Sequence, residues 1–384
     1  MIATASFADD LHVPGDYATI QAAIDAAQDG DVIHIAAGEH IADSLDTLGK
    51  QVHLIGVGDR TILRPLTVGR ILYIHTDEGP LTHFESLTFM GTDSDTNAVR
   101  LSSVDVTFTN CTFRDNTSWP YNMGGYDSPG SGAAVEGYGS SPRFEECRFE
   151  GNVSVGDEYA PAVGGAVWLA NGSPAFYQCT FRENSCKTLY GDGVAGNGGA
   201  LYLKSCTDAV LEACVFEENE IESDGSGGAG GAIYMWYVTG RVTACSFLAN
   251  GTAGDPAPYS RGGALSLGHA PILIDDSNFS SNGAASGSAI AVNYDAPTLL
   301  DSSFCDHDGD EISGDWANGG GNTFVDSCVC QGDISGDGAV GVADLLMIID
   351  FWGACSGCEA DLTGDGVVGV GDLLIILDAW GECS

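Results

Sequence analysis

A phrase of the form apolar-x-x-Cys-x-Phe-x-x-Asn recurs along the middle of the chain, and it limits the fold more than any other feature. It reads Phe108…Cys111…Phe113…Asn116, then Phe144…Cys147…Phe149…Asn152, then Phe176…Cys179…Phe181…Asn184. Leu211…Cys214…Phe216…Asn219 and Val242…Cys245…Phe247…Asn250 continue it. Serine takes the cysteine position in Ile274…Ser277…Phe279…Asn282 and Leu299…Ser302…Phe304, and Phe84…Leu87…Phe89 precedes the series. A second phrase alternates with the first: Gly164-Gly165-Ala166-Val167, Gly198-Gly199-Ala200-Leu201, Gly230-Gly231-Ala232-Ile233 and Gly262-Gly263-Ala264-Leu265, with degenerate forms beginning at Gly132 and Gly287. The Phe-to-Phe step is 24 or 25 residues at the ends and 31 to 36 between them. Such a pattern describes a coil of about 24 residues that accepts insertions at one place. Cys and Phe two apart share one face of a strand. Stacked coil on coil, they become interior columns, and Asn becomes a ladder at a turn. The expected fold is all-β, a right-handed parallel β-helix of about 10 coils. The five in-phase cysteines are then buried small hydrophobes rather than disulfides or nucleophiles.

The paired Gly-Gly-Ala-(Ile/Leu/Val) and Phe-x-x-Asn phrases resemble the repeats of chlamydial polymorphic membrane proteins and of many bacterial β-helix proteins. The opening segment, Val13-Pro14-Gly15-Asp16-Tyr17-Ala18-Thr19-Ile20-Gln21-Ala22-Ala23-Ile24 followed by Gly30-Asp31-Val32-Ile33-His34-Ile35, resembles the capping helix and first coil of pectin-lyase-like proteins. Both resemblances together cover about residues 11 to 325. They imply a fold and leave activity open, because the superfamily spans lyases, hydrolases, epimerases and adhesins. A parallel stack has an open edge at each end. An amphipathic helix over Ile20–Ala27 is expected to cover the first. Residues 1–10 read as a signal remnant or disordered start, 11–327 as the β-helix and 328–384 as a separate small α-helical module.

That module contains two copies of one loop, offset by 28 residues (361 − 333). Oxygen-bearing side chains stand at positions 1, 3, 5 and 12: Asp333, Ser335, Asp337 and Asp344, then Asp361, Thr363, Asp365 and Asp372. Glycine at position 6 allows a sharp turn, and the backbone carbonyls of Ala339 and Val367 at position 7 complete an oxygen shell for Ca2+. Two ions are expected, one per loop. An apolar run leads out of each loop and ends in Trp-Gly. These residues resemble the type I dockerin module, a duplicated calcium loop-helix of secreted, mostly polysaccharide-degrading proteins. The resemblance implies a cohesin-like or cell-envelope partner. It departs from the frequent Ser-Thr pair at positions 10 and 11, which here are Val342-Ala343 and Val370-Gly371. Cys328, Cys330, Cys355, Cys358 and Cys383 frame the loops in a near-symmetric way that suggests structural disulfides in an oxidising compartment. A four-cysteine zinc site competes with that reading, but the spacings do not form two close ligand pairs. Cys186, Cys206 and Cys305 have no assigned place.

Net charge is −41, from 54 acidic against 13 basic residues. Nucleic acid is excluded as a partner, because backbone binding requires clustered cations. No apolar run is long enough for a transmembrane helix. Calcium loops of this kind are filled where calcium is millimolar, so a secreted, extracellular or cell-surface location is expected.

Insertions fall between Asn and Gly-Gly-Ala in five successive coils, at 117–131, 153–163, 185–197, 220–229 and 251–261. They read either as solvated turns or as the wall of a binding groove along one edge. Beside them the strand after Gly-Gly-Ala sends an outward column of Arg100, Glu136, Trp168, Tyr202, Tyr234, Ser266 and Ala291. Tyr138, Lys204, Trp236 and Asn293 point outward two residues on. Trp168, Tyr202, Tyr234 and Trp236 are expected to form a flat platform for the apolar faces of sugar rings. Arg100, Glu136 and Lys204 are the weak candidates for catalysis; Arg100 and Lys204 stand three coils apart, too far for one reaction centre. The expected partner is a polysaccharide. Two functions stay open: a lyase or glycoside hydrolase acting on it, and a non-catalytic adhesin-type surface protein.

Overall fold

The computed structural model describes residues 8–384 apart from 77, 123–126, 129, 158–159, 190–195, 224–226, 254–259, 308, 327, 329–331, 336–338, 356–357 and 383–384. The chain divides into two compact units, Met1–Phe324 and Val325–Ser384.

One turn of the larger unit shows its plan. Thr107–Thr109, Thr112–Arg114, Val99–Ser102 and Thr117–Ser118 each belong to a different sheet. Repetition builds a first sheet of 12 strands, a second of 11, a third of 9 and a fourth of 6. Neighbours within each are parallel and one coil apart, as in Phe113 opposite Phe89 and Phe149. Helix α1, Ile20–Ala26, buries Ile20, Ala23 and Ile24, and Thr19 caps it by accepting from the N–H of Ala22.

The columns expected from the repeat are present. Phe113, Phe149, Phe181 and Phe216 are fully buried and stack at 4.8, 4.6 and 4.6 Å between ring centroids. A second stack, Phe84–Phe108–Phe144–Phe176, meets it edge-on, with Phe144 and Phe149 at 72°. Each such ring contributes about 1.5–3 kcal/mol by burial. The in-phase cysteines are free and buried, and the Cys147 thiol donates to the carbonyl of Phe108 at 3.4 Å. Burial pushes the Cys147 thiol far up. Iodoacetamide applied to the native protein should therefore leave Cys111, Cys147, Cys179, Cys214 and Cys245 unlabelled in peptide mapping. Rapid labelling of any of them would contradict the columns.

The buried asparagines form a continuous ladder. Asn184 Nδ2 donates to the Phe149 carbonyl at 2.8 Å and to Asn219 Oδ1 at 2.9 Å. Its Oδ1 accepts from the backbone N–H and Nδ2 of Asn152 at 3.1 and 2.9 Å. The same four-bond pattern repeats at Asn152, Asn219 and Asn250. The Gly-Gly-Ala phrase has an equally local cause. Gly164 turns the chain at φ 58°, and a Cβ on Gly165 would lie 1.9 Å from the Gly199 carbonyl of the next coil. No side chain fits so close an approach.

The smaller unit repeats itself. Helices α2, Val342–Asp350, and α3, Val370–Asp378, follow the two loops. Ala339–Val340 pairs with Gly381–Glu382, and Gly353–Ala354 pairs with Val367–Val368, so each half supplies a strand to the other. Val340, Ile348, Ala360, Val368 and Ile376 make its core. Cys355 and Cys358 form a disulfide; Cys330 and Cys383 lie outside the described residues.

Candidate functional site

The third sheet places Arg100, Glu136, Trp168, Tyr202 and Tyr234 in one outward register, as the alternation predicts. The expected flat platform is absent from that column. Tyr202 and Tyr234 meet edge-on at 76°, and both are half-buried. Burial pushes the Tyr202 phenol up to about 12. Ser266 and Ala291, the next two members, are buried. Alternation says that a side chain points outward, but neighbouring side chains decide how its ring turns. The catalytic candidates also come apart: Arg100 pairs with Glu136 at 3.3 Å, and exposed Lys204 stands three strands from Arg100. Of the loop carboxylates near Glu136, Asp157 accepts from the Ala160 N–H at 2.9 Å, and Glu158 lies outside the described residues.

A different aromatic surface stands at the exit of the same sheet. Tyr237, His269 and Tyr294 each occupy the single left-handed residue that turns the chain off the sheet, at φ 55°, 51° and 82°. Stacked coils therefore stack their rings, at 4.5 and 4.1 Å with planes within 6° of parallel. Trp236 meets this stack edge-on, at 86°, 80° and 81° to the three rings. It lies across Gly268 of the next coil, where an added Cβ would fall 2.2 Å from an indole carbon. Tyr234 is parallel to Trp236 within 6°, with centroids 6.3 Å apart. Tyr234 and Trp236 thus make a floor, and the stack, with Tyr237 and Tyr294 54% and 68% exposed, makes a wall. Polar groups border the wall: Arg261 donates to Asn293 Oδ1 at 3.1 Å, and His269 Nδ1 lies 3.2 Å from Asp295 Oδ2. Tyr234 and Trp236 belong to the columns marked by the sequence pattern; Tyr237, His269 and Tyr294 do not.

A family model for a right handed beta helix region matches residues 72–255. The larger unit has the fold of a right-handed parallel β-helix. No curated protein matches it in sequence. Among solved structures, the β-helix is similar to the pectin methylesterase of Aspergillus niger at 10% identity and a TM-score of 0.34, over 85% of this chain and 92% of that one. For the pectin methylesterase of Erwinia chrysanthemi the values are 14% and 0.31, over 66% and 81%. For an alginate lyase in complex with a trisaccharide they are 11% and 0.34, over 83% and 85%. These likenesses concern the fold alone.

The first residues of the insertions form part of a sheet along one edge of the β-helix. Val153–Gly156, Ser185–Thr188, Glu220–Glu222 and Gly251–Ala253 pair in parallel as part of the fourth sheet. Ala162, Cys186 and Ile221 form a small core beneath them, which gives Cys186 its place. Cys206 lies in the main core. Tyr126, Tyr159, Tyr190 and Tyr259 fall outside the described residues. In this sheet the Glu220 carboxyl is pushed up by burial and by Glu222, with Lys187 pulling the other way.

The loops of the C-terminal unit carry the oxygen-bearing side chains expected of a Ca2+ loop. Thr363 Oγ1 lies 3.5 Å from Asp361 Oδ1 and 3.1 Å from Asp372 Oδ1, so it links the first and last carboxylates of its loop. Asp365 Oδ1 accepts from the N–H of Val367 at 2.8 Å. Asp344 and Asp372 are buried at the helix starts. Burial pushes both carboxyls up, but the N–H groups of Ser335 and Gly341, and of Thr363 and Gly369, outweigh it and hold them below the usual range. The first loop matches at Asp333, Ser335 and Asp344, with Ser335 Oγ 3.2 Å from Asp333 Oδ1; Asp337 lies outside the described residues. Residues 325–384 carry 11 Asp and Glu with no Lys, Arg or His.

Proposed function

We propose that this protein is a secreted β-helix that binds polysaccharide on the Tyr234–Trp236 floor and is tethered through a calcium-loaded docking module. The observation that carries the binding reading is the indole of Trp236 lying over Gly268 beside three stacked rings, two of them exposed. Sugar rings offer apolar C–H faces to such a floor and hydroxyls to its rim, where Arg261, Asn293 and Asp295 stand. The Tyr237–His269–Tyr294 wall fixes the direction in which a chain of sugars can lie.

The tether reading rests on a duplicated apolar surface. Val342 and Val370, Leu346 and Leu374, Ile349 and Leu377, and Trp352 and Trp380 are each 47% to 63% exposed and related by the 28-residue repeat. A surface of that kind suits an apolar patch on a separate protein of the cohesin type. Among the described residues, no helix is long and apolar enough to cross a membrane.

The test is a glycan panel probed with wild type, Trp236→Ala, the double variant Tyr237→Ala/Tyr294→Ala, and Trp168→Ala. Trp236→Ala and the double variant are expected to weaken binding about tenfold or more, and Trp168→Ala to leave it within about twofold. Unchanged binding in Trp236→Ala would refute the assignment. One observation favours degradation as a second reading: burial and Glu222 push the Glu220 carboxyl up, the direction a proton donor needs. New reducing or unsaturated ends on the panel, abolished in Glu220→Gln, would establish it. A panel that stays uncleaved leaves the binding, adhesin-type reading.

A further inference from the structure

We propose that His53, His83 and Glu85 form a site for a borderline transition-metal dication of the zinc class, on the outer face of the first sheet and apart from the aromatic wall. Parallel pairing sets His53 directly opposite His83, with Glu85 two residues along on the same face. The imidazoles stack at 4.3 Å and 8°, and His53 Nε2 lies 2.9 Å from Glu85 Oε2. One ligating atom from each of the three residues lies within 4.8 Å of the other two. All three are partly buried, so their rings and carboxylate are held by neighbours while one side stays open.

The surroundings favour a cation. The charged groups facing His83 are His53, Glu85 and Glu145, two of them carboxylates. His83 Nε2 is 2.9 Å from Thr109 Oγ1 on the next strand, a contact that holds the ring as an outer partner does in metal centres. Burial and the adjacent His53 hold the His83 imidazole below its usual range.

Two imidazoles and one carboxylate suit zinc, and also copper or nickel, rather than calcium, which takes oxygen ligands. A tetrahedral ion bonded at 2.0–2.2 Å holds its donors about 3.4 Å apart, so the cluster closes by about an ångström through side-chain rotation. The fourth position is left to water. The ion joins two neighbouring coils near the start of the stack. His34 lies on the same face, but its Nε2 sits 2.9 Å from Asp10 Oδ1, so it stays outside the site.

The experiment uses the full chain, stripped of metal and then held in millimolar Ca2+ so that the C-terminal loops are filled. Zn2+ is titrated by calorimetry, and Co2+ by visible absorption, which reports nitrogen ligation. Wild type is expected to take up one Zn2+ per chain that His83→Phe and Glu85→Gln each weaken about tenfold or more, with His34→Ala unchanged. His83→Phe keeps a ring in the stack; should it fail to melt like wild type, Glu85→Gln, which leaves both rings in place, carries the same reading. Zn2+ uptake equal in wild type, His83→Phe and Glu85→Gln would overturn the proposal, as would no stoichiometric uptake by wild type.

Discussion

Asn184→Ala is expected to destabilise the β-helix by about 4–6 kcal/mol, far more than the loss of one amide suggests. The substitution removes four hydrogen bonds made by a side chain with no exposure. It also leaves the Phe149 carbonyl, Asn219 Oδ1 and two Asn152 donors buried without those partners. Each buried group left unsatisfied costs about 1–3 kcal/mol, reduced where the coil relaxes to admit water. The end of the ladder gives an internal comparison. Asn282 donates to the Phe247 carbonyl and accepts from Asn250, but no further asparagine follows it. Asn282→Ala should therefore cost about 1–3 kcal/mol less than Asn184→Ala. Urea unfolding of both variants, with calcium present, measures the two values. Equal losses would mean that each rung acts alone and that the ladder has no cooperative length.

The same columns explain what could be read from the amino acids and what could not. Phe, Cys and Asn repeat at fixed phase because each interior column accepts one shape, and Gly-Gly repeats because a neighbouring carbonyl forbids a Cβ. The corner between the first and second sheets left no such trace. It is occupied by Asn110, Glu146, Gln178, Ala213 and Ala244 in turn, all left-handed with φ between 49° and 54°. Neighbouring coils impose that conformation, and no residue type marks it. Tyr237, His269 and Tyr294 escaped notice because in–out alternation stops at the strand end, one residue before them. A signal existed nevertheless: each lies seven residues after the first glycine of its phrase (230 to 237, 262 to 269, 287 to 294). His53 and His83 belong to early coils that lack the Cys-x-Phe phrase, so only the sheet register brings them together.

Removing calcium is expected to unfold the C-terminal unit and leave the melting of the β-helix unchanged. Among its described residues the unit has five buried apolar side chains and two nine-residue helices, too little to hold a fold while its carboxylates repel one another. Asp361, Asp365 and Asp372 belong to one loop, and Asp372 accepts from the N–H of Thr363 within that loop and of Gly369 at the start of α3. An ion at about 100 times its dissociation constant contributes about 2.7 kcal/mol per site. That is comparable with all the stability such a small core supplies. Chelation with EGTA should therefore erase the helical signal of α2 and α3 and open residues 325–384 to chymotrypsin at Phe351, Trp352 and Trp380, with protection restored by millimolar Ca2+. Asp372→Ala should reproduce the loss for the second loop even in calcium, because it removes a ligand and the cap of α3 together. Identical digestion with and without EGTA would mean that backbone contacts alone hold the acidic loops closed, and the calcium assignment would fail with it.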